Sequence, residues 1–138
     1  MYLLDRNICI FLIKNKFPNL TKKILASDSN ELFLSSVTIA EMEYGASKSQ
    51  NREKNRQALL DFCMDFNNIL DFTTEDTEAY GLIRAYLEKE GKVIEPYDMQ
   101  IAAQAMTRNL TVITNNYDKF VRIPPPHEFR VSLFVKQS

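Results

Sequence analysis

An apolar run opens the chain and ends at an acid, and this order restricts the possible folds more than any other stretch. Residues 2–4 (Tyr-Leu-Leu) have the character of a short buried strand, and Asp5 follows them directly. Residues 32–37 and 110–114 are similar runs, apolar or rich in β-branched side chains. Helical segments separate these runs. Strands that alternate with helices predict an α/β fold of three layers, a mostly parallel sheet between helices. The remaining strand candidates are 69–72 and, at the edge, 130–135.

Helical periodicity fills the chain between the strands. We expect Asn7 and Asn19 to cap the first two helices, and Thr38 with Glu41 to form a capping box at the start of the third. Gly91 is expected to end the fifth helix as its C′ residue. The predicted helices are 8–13, 20–26, 38–50, 52–67, 74–90 and 99–106, followed by a short turn of helix within 115–120.

The length of 138 residues favours a single domain over 1–138. With two cysteines and one histidine, neither a disulfide framework nor a Cys/His zinc site is expected. Because residue 5 is an acid and no apolar run approaches the ~20 residues that span a bilayer, we expect a cytoplasmic protein with no membrane partner.

The net charge of −1 gives no support for nucleic-acid binding. Basic residues nevertheless gather in two places. Each cluster is interpreted as a solvated face, with phosphate contact as the alternative. The clusters are Lys14, Lys16, Lys22 and Lys23, and Lys48, Arg52, Lys54 and Arg56.

Three acids fall at comparable positions near the ends of predicted elements: Asp5, Glu41 and Asp98. Two carboxylates about 4 Å apart repel by roughly 4 kcal/mol at an effective dielectric constant of 20, so a shared site needs a cation. Mg²⁺ or Mn²⁺ suits carboxylates without imidazole or thiolate ligands. The expected chemistry is metal-assisted hydrolysis of a phosphodiester. The alternative for Glu41 is the capping role described above.

Four motifs, in this order and spacing, resemble the PIN-domain family, and within it the VapC toxins of bacterial VapBC toxin–antitoxin pairs. The resemblance covers about 1–123, and the tail 124–138 departs from the family. The motifs are Leu3-Leu4-Asp5 with Asn7-Ile8, Ser36 to Met42 with Tyr44-Gly45, Pro96-Tyr97-Asp98 with Ile101-Ala102-Ala103, and Leu110 to Asn116 with Phe120.

The resemblance implies an endoribonuclease that depends on Mg²⁺ or Mn²⁺. Asp5 and Asp98 correspond to direct metal ligands, and Glu41 binds the metal or orients the attacking water. The fourth acidic position of the family falls at Asn116, whose amide oxygen replaces a carboxylate. Asp118 is expected to reach the site through water. Supporting residues are Asn7 and Thr114, the latter by a hydrogen bond to an acidic ligand.

The resemblance also implies biological partners. Related proteins cut transfer RNA in the anticodon stem-loop, often in initiator tRNA, and so stop translation. A VapB-type antitoxin is expected to cover the catalytic groove, and the complex to contact operator DNA only through the antitoxin. The chain is expected to form a homodimer and a higher assembly with the antitoxin.

Arg6 departs from the family pattern, which has Thr or Ser there. We expect its guanidinium to pair with Asp5 or Asp98 and to compete with the metal. The hypothesis is an attenuated enzyme, and the alternative is an inactive PIN module that binds the antitoxin as a co-repressor. Glu95 replaces a common Gly and adds an acid. A DNA-directed flap nuclease fits less well, because 138 residues leave no room for duplex-threading elements.

Overall fold

The computed structural model describes residues 1–123 and 130–133 of the chain. Five strands alternate with helices along it. The strands are β1 Tyr2–Leu4, β2 Leu32–Ser35, β3 Asn68–Leu70, β4 Thr111–Thr114 and β5 Arg130–Leu133. The helices are α1 Arg6–Ile13, α2 Pro18–Leu25, α3 Ser36–Ser47, α4 Arg52–Met64, α5 Thr74–Lys89, α6 Pro96–Arg108 and α7 Tyr117–Phe120, with a 3₁₀ turn at Ser29–Glu31.

The strands form one parallel sheet in the order β3-β2-β1-β4-β5. β1 lies at its centre, where Tyr2 is opposite both Leu32 and Thr111. The carboxyl ends of β1, β2 and β4 therefore meet at one edge of the sheet. Ligands of open α/β sheets bind outside that edge.

Two apolar cores lie on the two faces of the sheet, because successive side chains of a strand point to opposite faces. Leu3 packs with Ile83 of α5 and Ile101 of α6. Leu4 packs with residues of α1, α2, α3 and α4, among them Ile8. The predicted three-layer α/β/α architecture is confirmed. No helix in the described part of the chain is long and apolar enough to cross a bilayer.

The prediction that Asn7 caps the first helix is wrong. The strand ends at Leu4 and α1 begins at Arg6, so Asp5 is the cap, and its Oδ1 accepts a hydrogen bond of 2.8 Å from the Arg6 backbone N–H. Asp and Asn are equally good caps, and the acid comes first in the chain. Asp5 is thereby held rigidly between the central strand and a helix.

The capping box predicted at Thr38 and Glu41 is also wrong. α3 begins earlier, at Ser36, and the Ser35 hydroxyl oxygen accepts a hydrogen bond of 3.0 Å from the Val37 N–H. A Ser at the end of a strand provides the cap without help from the helix interior. Glu41 therefore does not cap this helix.

Two further helices, α2 and α6, also begin earlier in the chain than predicted. α2 begins at Pro18 rather than behind Asn19, since the ring of a proline presets the first helical φ. α6 begins at Pro96, which places Asp98 in its first turn. Gly91 has a φ of +66°, as expected for a residue that ends a helix.

The tail contributes β5, which pairs in parallel with β4 at the edge of the sheet. This strand occupies the first part of the predicted 130–135. The rest of the tail, 124–129 and 134–138, lies outside the described residues. The single-domain assignment stays a prediction.

Candidate active site

Asp5 accepts more hydrogen bonds than the other two candidate acids at the carboxyl edge of the sheet. It is 3% exposed, and both of its oxygens accept hydrogen bonds. The hydroxyl of Tyr97 donates to Oδ1 at 3.2 Å, and the hydroxyl of Thr114 donates to Oδ2 at 2.7 Å. Thus groups from α6 and from the end of β4 fix the orientation of the Asp5 carboxylate, directly after β1. The hydrogen bond predicted from Thr114 to an acid is present.

Tyr97 links three elements around Asp5. It is 7% exposed, its hydroxyl lies 2.8 Å from the Thr38 hydroxyl, and its oxygen accepts a 3.1 Å hydrogen bond from the Arg6 backbone N–H. Burial, and then the charge of Asp5, raise the pKa of Tyr97. The phenol therefore stays protonated and acts as a donor to the carboxylate. Sequence reasoning included Tyr97 in a motif but gave it no role.

Asp98 lies close enough to Asp5 to be affected by its charge, and its carboxylate is incompletely satisfied. It is 4% exposed, and its buried Oδ2 has no hydrogen-bond partner. The ammonium of Lys119 stands 3.6 Å from that oxygen, an ion pair longer than a hydrogen bond. Burial raises the pKa of Asp98; Lys119 opposes this shift, and the charges of Asp5 and Glu95 add to it.

The carboxylate of Glu41 forms an ion pair with the side chain of Arg6. The Arg6 guanidinium donates to its Oε2 at 3.1 Å, with the two side chains 33% and 40% exposed. The guanidinium carbon also lies 5.0 Å from the centre of the Tyr97 ring. The expected pairing of the Arg6 side chain with Asp5 or Asp98 is therefore wrong, since the guanidinium pairs with Glu41. It is the Arg6 backbone that contacts Asp5.

The remaining candidates lie around this edge in different settings. Asn7 donates through its side-chain amide to the Asn115 side chain at 3.3 Å. The Asn116 backbone N–H donates to the Thr114 hydroxyl at 2.9 Å, which orders the turn after β4. Asp118 is exposed in the first turn of α7. Metal binding by Asn116 and Asp118 stays a prediction.

The acids fit a divalent cation in part. The carboxylates of Asp5 and Asp98 are both buried, and one oxygen of Asp98 lacks a hydrogen bond. Such hard oxygen donors are the ligands that Mg²⁺ or Mn²⁺ takes. Within residues 1–123 and 130–133, however, no three acidic, histidine or cysteine side chains are grouped as a metal site. In this arrangement the structure brings Asp5 and Asp98 together and pairs Glu41 with Arg6. A third acidic ligand requires a change of side-chain rotamers.

Lys119 was not predicted from the sequence. It follows Asp118 in a short polar helix, a position that carries no signal of its own. Only the packing of α7 against α6 brings its ammonium to Asp98. Pairing of Lys119 with a buried acid is thus a product of tertiary structure.

Comparison with known proteins supports the fold and the motifs together. A family model described as PIN domain matches residues 2–124. Ribonuclease VapC2 of Rickettsia felis is 40% identical over 126 residues, which are 90% of this chain and 92% of that protein. The tRNA(fMet)-specific endonuclease VapC of Salmonella typhimurium is 39% identical over 123 residues, 89% of this chain and 92% of that protein.

Solved structures show the same similarity. DNA-bound VapBC from Salmonella typhimurium has a chain with a TM-score of 0.85 and 37% identity, covering 95% of this chain and 96% of that one. VapBC2 from Rickettsia felis, bound to a DNA fragment from its promoter, has a chain with a TM-score of 0.83 and 32% identity, covering 97% and 98%. The chain therefore belongs to the PIN-domain family, among the VapC ribonucleases of toxin–antitoxin systems.

Proposed function

We propose that this chain is a toxin of the type II class, an endoribonuclease that needs Mg²⁺ or Mn²⁺ and cuts transfer RNA. The observation that carries the proposal is the buried pair Asp5 and Asp98 at the carboxyl edge of the sheet, with Asp98 Oδ2 lacking a hydrogen bond. The name of the Salmonella relative favours initiator tRNA as the substrate. We place the cut in its anticodon stem-loop as part of the proposal. Such a cut stops translation.

The residues of the chain have separable roles in this proposal. Tyr97 and Thr114 hold Asp5 in one orientation, in which its carboxylate would help to hold the cation. Asp98 supplies the second carboxylate from the start of α6. A divalent cation bound by these two acids supplies neutralisation of the phosphodiester and a water of lowered pKa.

Glu41 and Lys119 must change partners for the proposed reaction. Released from Arg6, Glu41 would help to hold the cation or would accept a proton from the attacking water. Lys119 would have to move from Asp98 Oδ2, since a dication held at that oxygen would repel the ammonium. Both side chains are partly exposed, at 40% for Glu41 and 37% for Lys119.

The proposed partner is a VapB-type antitoxin that covers the catalytic groove. Support comes from three of the similar solved structures, which are VapBC complexes, two of these three with DNA. In this proposal the chain acts in the cytoplasm as a homodimer and within a larger assembly with the antitoxin. Operator DNA is contacted only through the antitoxin.

Expression of the chain without its antitoxin, followed by sequencing of new RNA 5′ ends, tests the proposal. We expect growth arrest and discrete breaks in the anticodon stem-loop of one tRNA. The control is Asp98→Asn, which keeps the shape of the side chain and removes its charge; it should abolish both effects. Unbroken RNA in cells that contain the folded chain would refute the nuclease assignment.

A second function, a PIN module that binds the antitoxin without cutting RNA, is favoured by one contact. The Arg6 guanidinium forms an ion pair of 3.1 Å with Glu41, so the third acid is not available to a metal in this arrangement. The two functions differ in their response to Arg6→Thr, which is considered in the Discussion. If the chain is an inactive module, the parent protein cuts no RNA and activity is seen only after Arg6→Thr.

A further inference from the structure

Helices α1 and α2 and the turn between them form the most basic part of the chain. Residues 6–27 contain no acid, although the net charge of the whole chain is −1. The exposed cations of this stretch are Lys14, Lys16, Lys22 and Lys23. Across the described residues, none of these lysines forms an ion pair with an acid. Their positive charge is therefore available to an anionic partner.

A tight turn at the end of α1 arranges part of this surface. Asn15 has a φ of 48°, in the left-handed region. Its N–H donates to the Leu12 carbonyl at 3.2 Å, and the Lys16 N–H donates to the Phe11 carbonyl at 3.0 Å. These two hydrogen bonds form a Schellman motif, which ends the helix and reverses the chain. The residues after α1 are thereby folded back onto its last turn.

Two aromatic rings meet at this reversal. The centroids of Phe11 and Phe17 are 5.1 Å apart, and the ring planes are nearly perpendicular at 83°. The Lys16 ammonium lies 5.4 Å from the first centroid and 5.9 Å from the second. Cation–π attraction keeps the charge next to the rings. We call the set of Phe11, Lys14, Lys16, Phe17, Lys22 and Lys23 the basic platform.

Helix α1 connects the candidate active site to the basic platform: it begins at the carboxyl edge of the sheet and runs back from that edge, so the platform lies at its far end. Asp5 caps the start of α1, and Lys14 caps its end. With a rise of 1.5 Å per residue, the nine steps from Asp5 to Lys14 correspond to about 13.5 Å along the helix. An RNA strand with one phosphate at Asp5 therefore reaches Lys14 and Lys16 within a few nucleotides.

We propose that the basic platform is a docking surface for RNA, in which lysines contact phosphates and the rings contact a base or ribose. This inference rests on the proposed ribonuclease function. Cations next to aromatic rings are the combination that binds single-stranded nucleic acid. An acidic peptide is the competing partner, but it gains little from the ring pair, on which a base can stack.

Salt-dependent RNA binding tests the proposal. The probe is a fluorescent RNA hairpin with a single-stranded loop, and binding is measured by anisotropy in the Asp98→Asn background to prevent cleavage. Lys22→Gln/Lys23→Gln is compared with Lys89→Gln/Lys92→Gln, which removes the same charge from exposed positions at the end of α5. We expect several-fold weaker binding only for the first pair. The slope of log K against log salt should fall by about 1.4, roughly 0.7 for each lost phosphate contact.

Three results would overturn the inference. Equal affinity and slope for the parent and the Lys22/Lys23 variant would show that RNA does not use this surface. Equal weakening in both variants would mean that only net charge matters. Unchanged RNA binding with weakened binding of an antitoxin would assign the surface to an acidic protein segment. Cleavage of the same hairpin by the chain with Asp98 intact tests the ribonuclease function separately.

Discussion

At the scale of single residues, the candidate site is partly neutralised by cations of the chain itself. Arg6 faces Glu41 at 3.1 Å, and Lys119 faces Asp98 at 3.6 Å. Partly exposed ion pairs contribute only about 0 to 1 kcal/mol, so a dication can displace them. If the proposed metal binds here, each pair would lower its apparent affinity. The charge of residues 6 and 119 should therefore govern activity.

Arg6→Thr should raise ribonuclease activity several-fold, because it frees Glu41. The measurement is the rate of RNA cleavage with Mg²⁺, together with growth arrest on expression of each form alone. Arg52→Thr removes an exposed cation at the start of α4 and should leave the rate unchanged. Equal rates for the parent and Arg6→Thr would mean that Arg6 does not attenuate the enzyme.

Lys119→Met should tighten Mn²⁺ binding several-fold, since Asp98 then has no competing ammonium. Isothermal titration calorimetry without RNA measures this independently of catalysis. Without metal, the same variant should unfold at a lower temperature, because a buried acid has lost its cation. Lys92→Met is the matched control. Unchanged affinity for Mn²⁺ in Lys119→Met would contradict the assigned ion pair.

At the scale of elements, one buried acid joins the start of α5 to the end of α6. Asp76 is 0% exposed. Its Oδ2 accepts a hydrogen bond from the Thr73 N–H at 2.8 Å and completes a capping box. Its Oδ1 accepts from the Thr107 hydroxyl at 2.6 Å and from Arg108 at 2.7 Å. This cluster fixes α5 against α6, the helix that carries Asp98.

Asp76→Asn should lower the free energy of unfolding by about 3 kcal/mol, because it leaves Arg108 without its anionic partner in a largely buried setting. Chemical denaturation measures the loss. Glu78→Gln, an exposed position in the same helix, should change stability little. A loss similar to that of Glu78→Gln would rule out a structural role for the cluster.

The stability contributed by Asp76 should also depend on pH. Burial alone would raise the pKa of Asp76, but hydrogen bonds from Arg108, Thr107 and Thr73 lower it below the usual value. A group with a lowered pKa stabilises the fold above its unfolded pKa of about 3.9, and this contribution is lost as the pH falls through the folded pKa. Unfolding at successive acidic pH values should show a steeper loss in the parent than in Asp76→Asn.

At the scale of the whole molecule, the sheet separates two cores that share one central strand. Leu3 and Leu4 are both fully buried, one in each core. Because β1 is paired on both sides, loss of packing on either face weakens the register of β1 with β2 and β4. The carboxyl edge that holds Asp5 thus depends on both layers of helices.

Leu3→Ala and Leu4→Ala should each cost about 2 to 5 kcal/mol, the usual range for a large side chain truncated in a core. We expect a single unfolding transition in each variant, coincident by near- and far-ultraviolet circular dichroism. Met64→Ala, at a position 82% exposed, should be nearly neutral. Separate transitions for the two faces would show that the cores do not unfold together.

Local sequence was sufficient for the order and type of the elements. The alternation of strand-like and amphipathic segments predicted the three-layer fold, and the motifs around Asp5, Glu41 and Asp98 predicted the family. Helix starts were less accurate, since Asp5, Ser35 and Pro18 are as suitable for those positions as the residues chosen. For α1 and α3, the competing cap residues differ little in preference, and the end of the preceding strand decides between them.

The sequence by itself determined which residues carry charge and which apolar segments are buried in the core. It did not determine how the charges are paired. The partner of Arg6 is Glu41 rather than Asp5 or Asp98, Lys119 reaches Asp98, and Tyr97 orients Asp5. These contacts join residues far apart in the chain. Side-chain ion pairs are weak and non-local, so their partners are set by how α1, α3, α6 and α7 pack around the carboxyl edge, which only the tertiary structure decides.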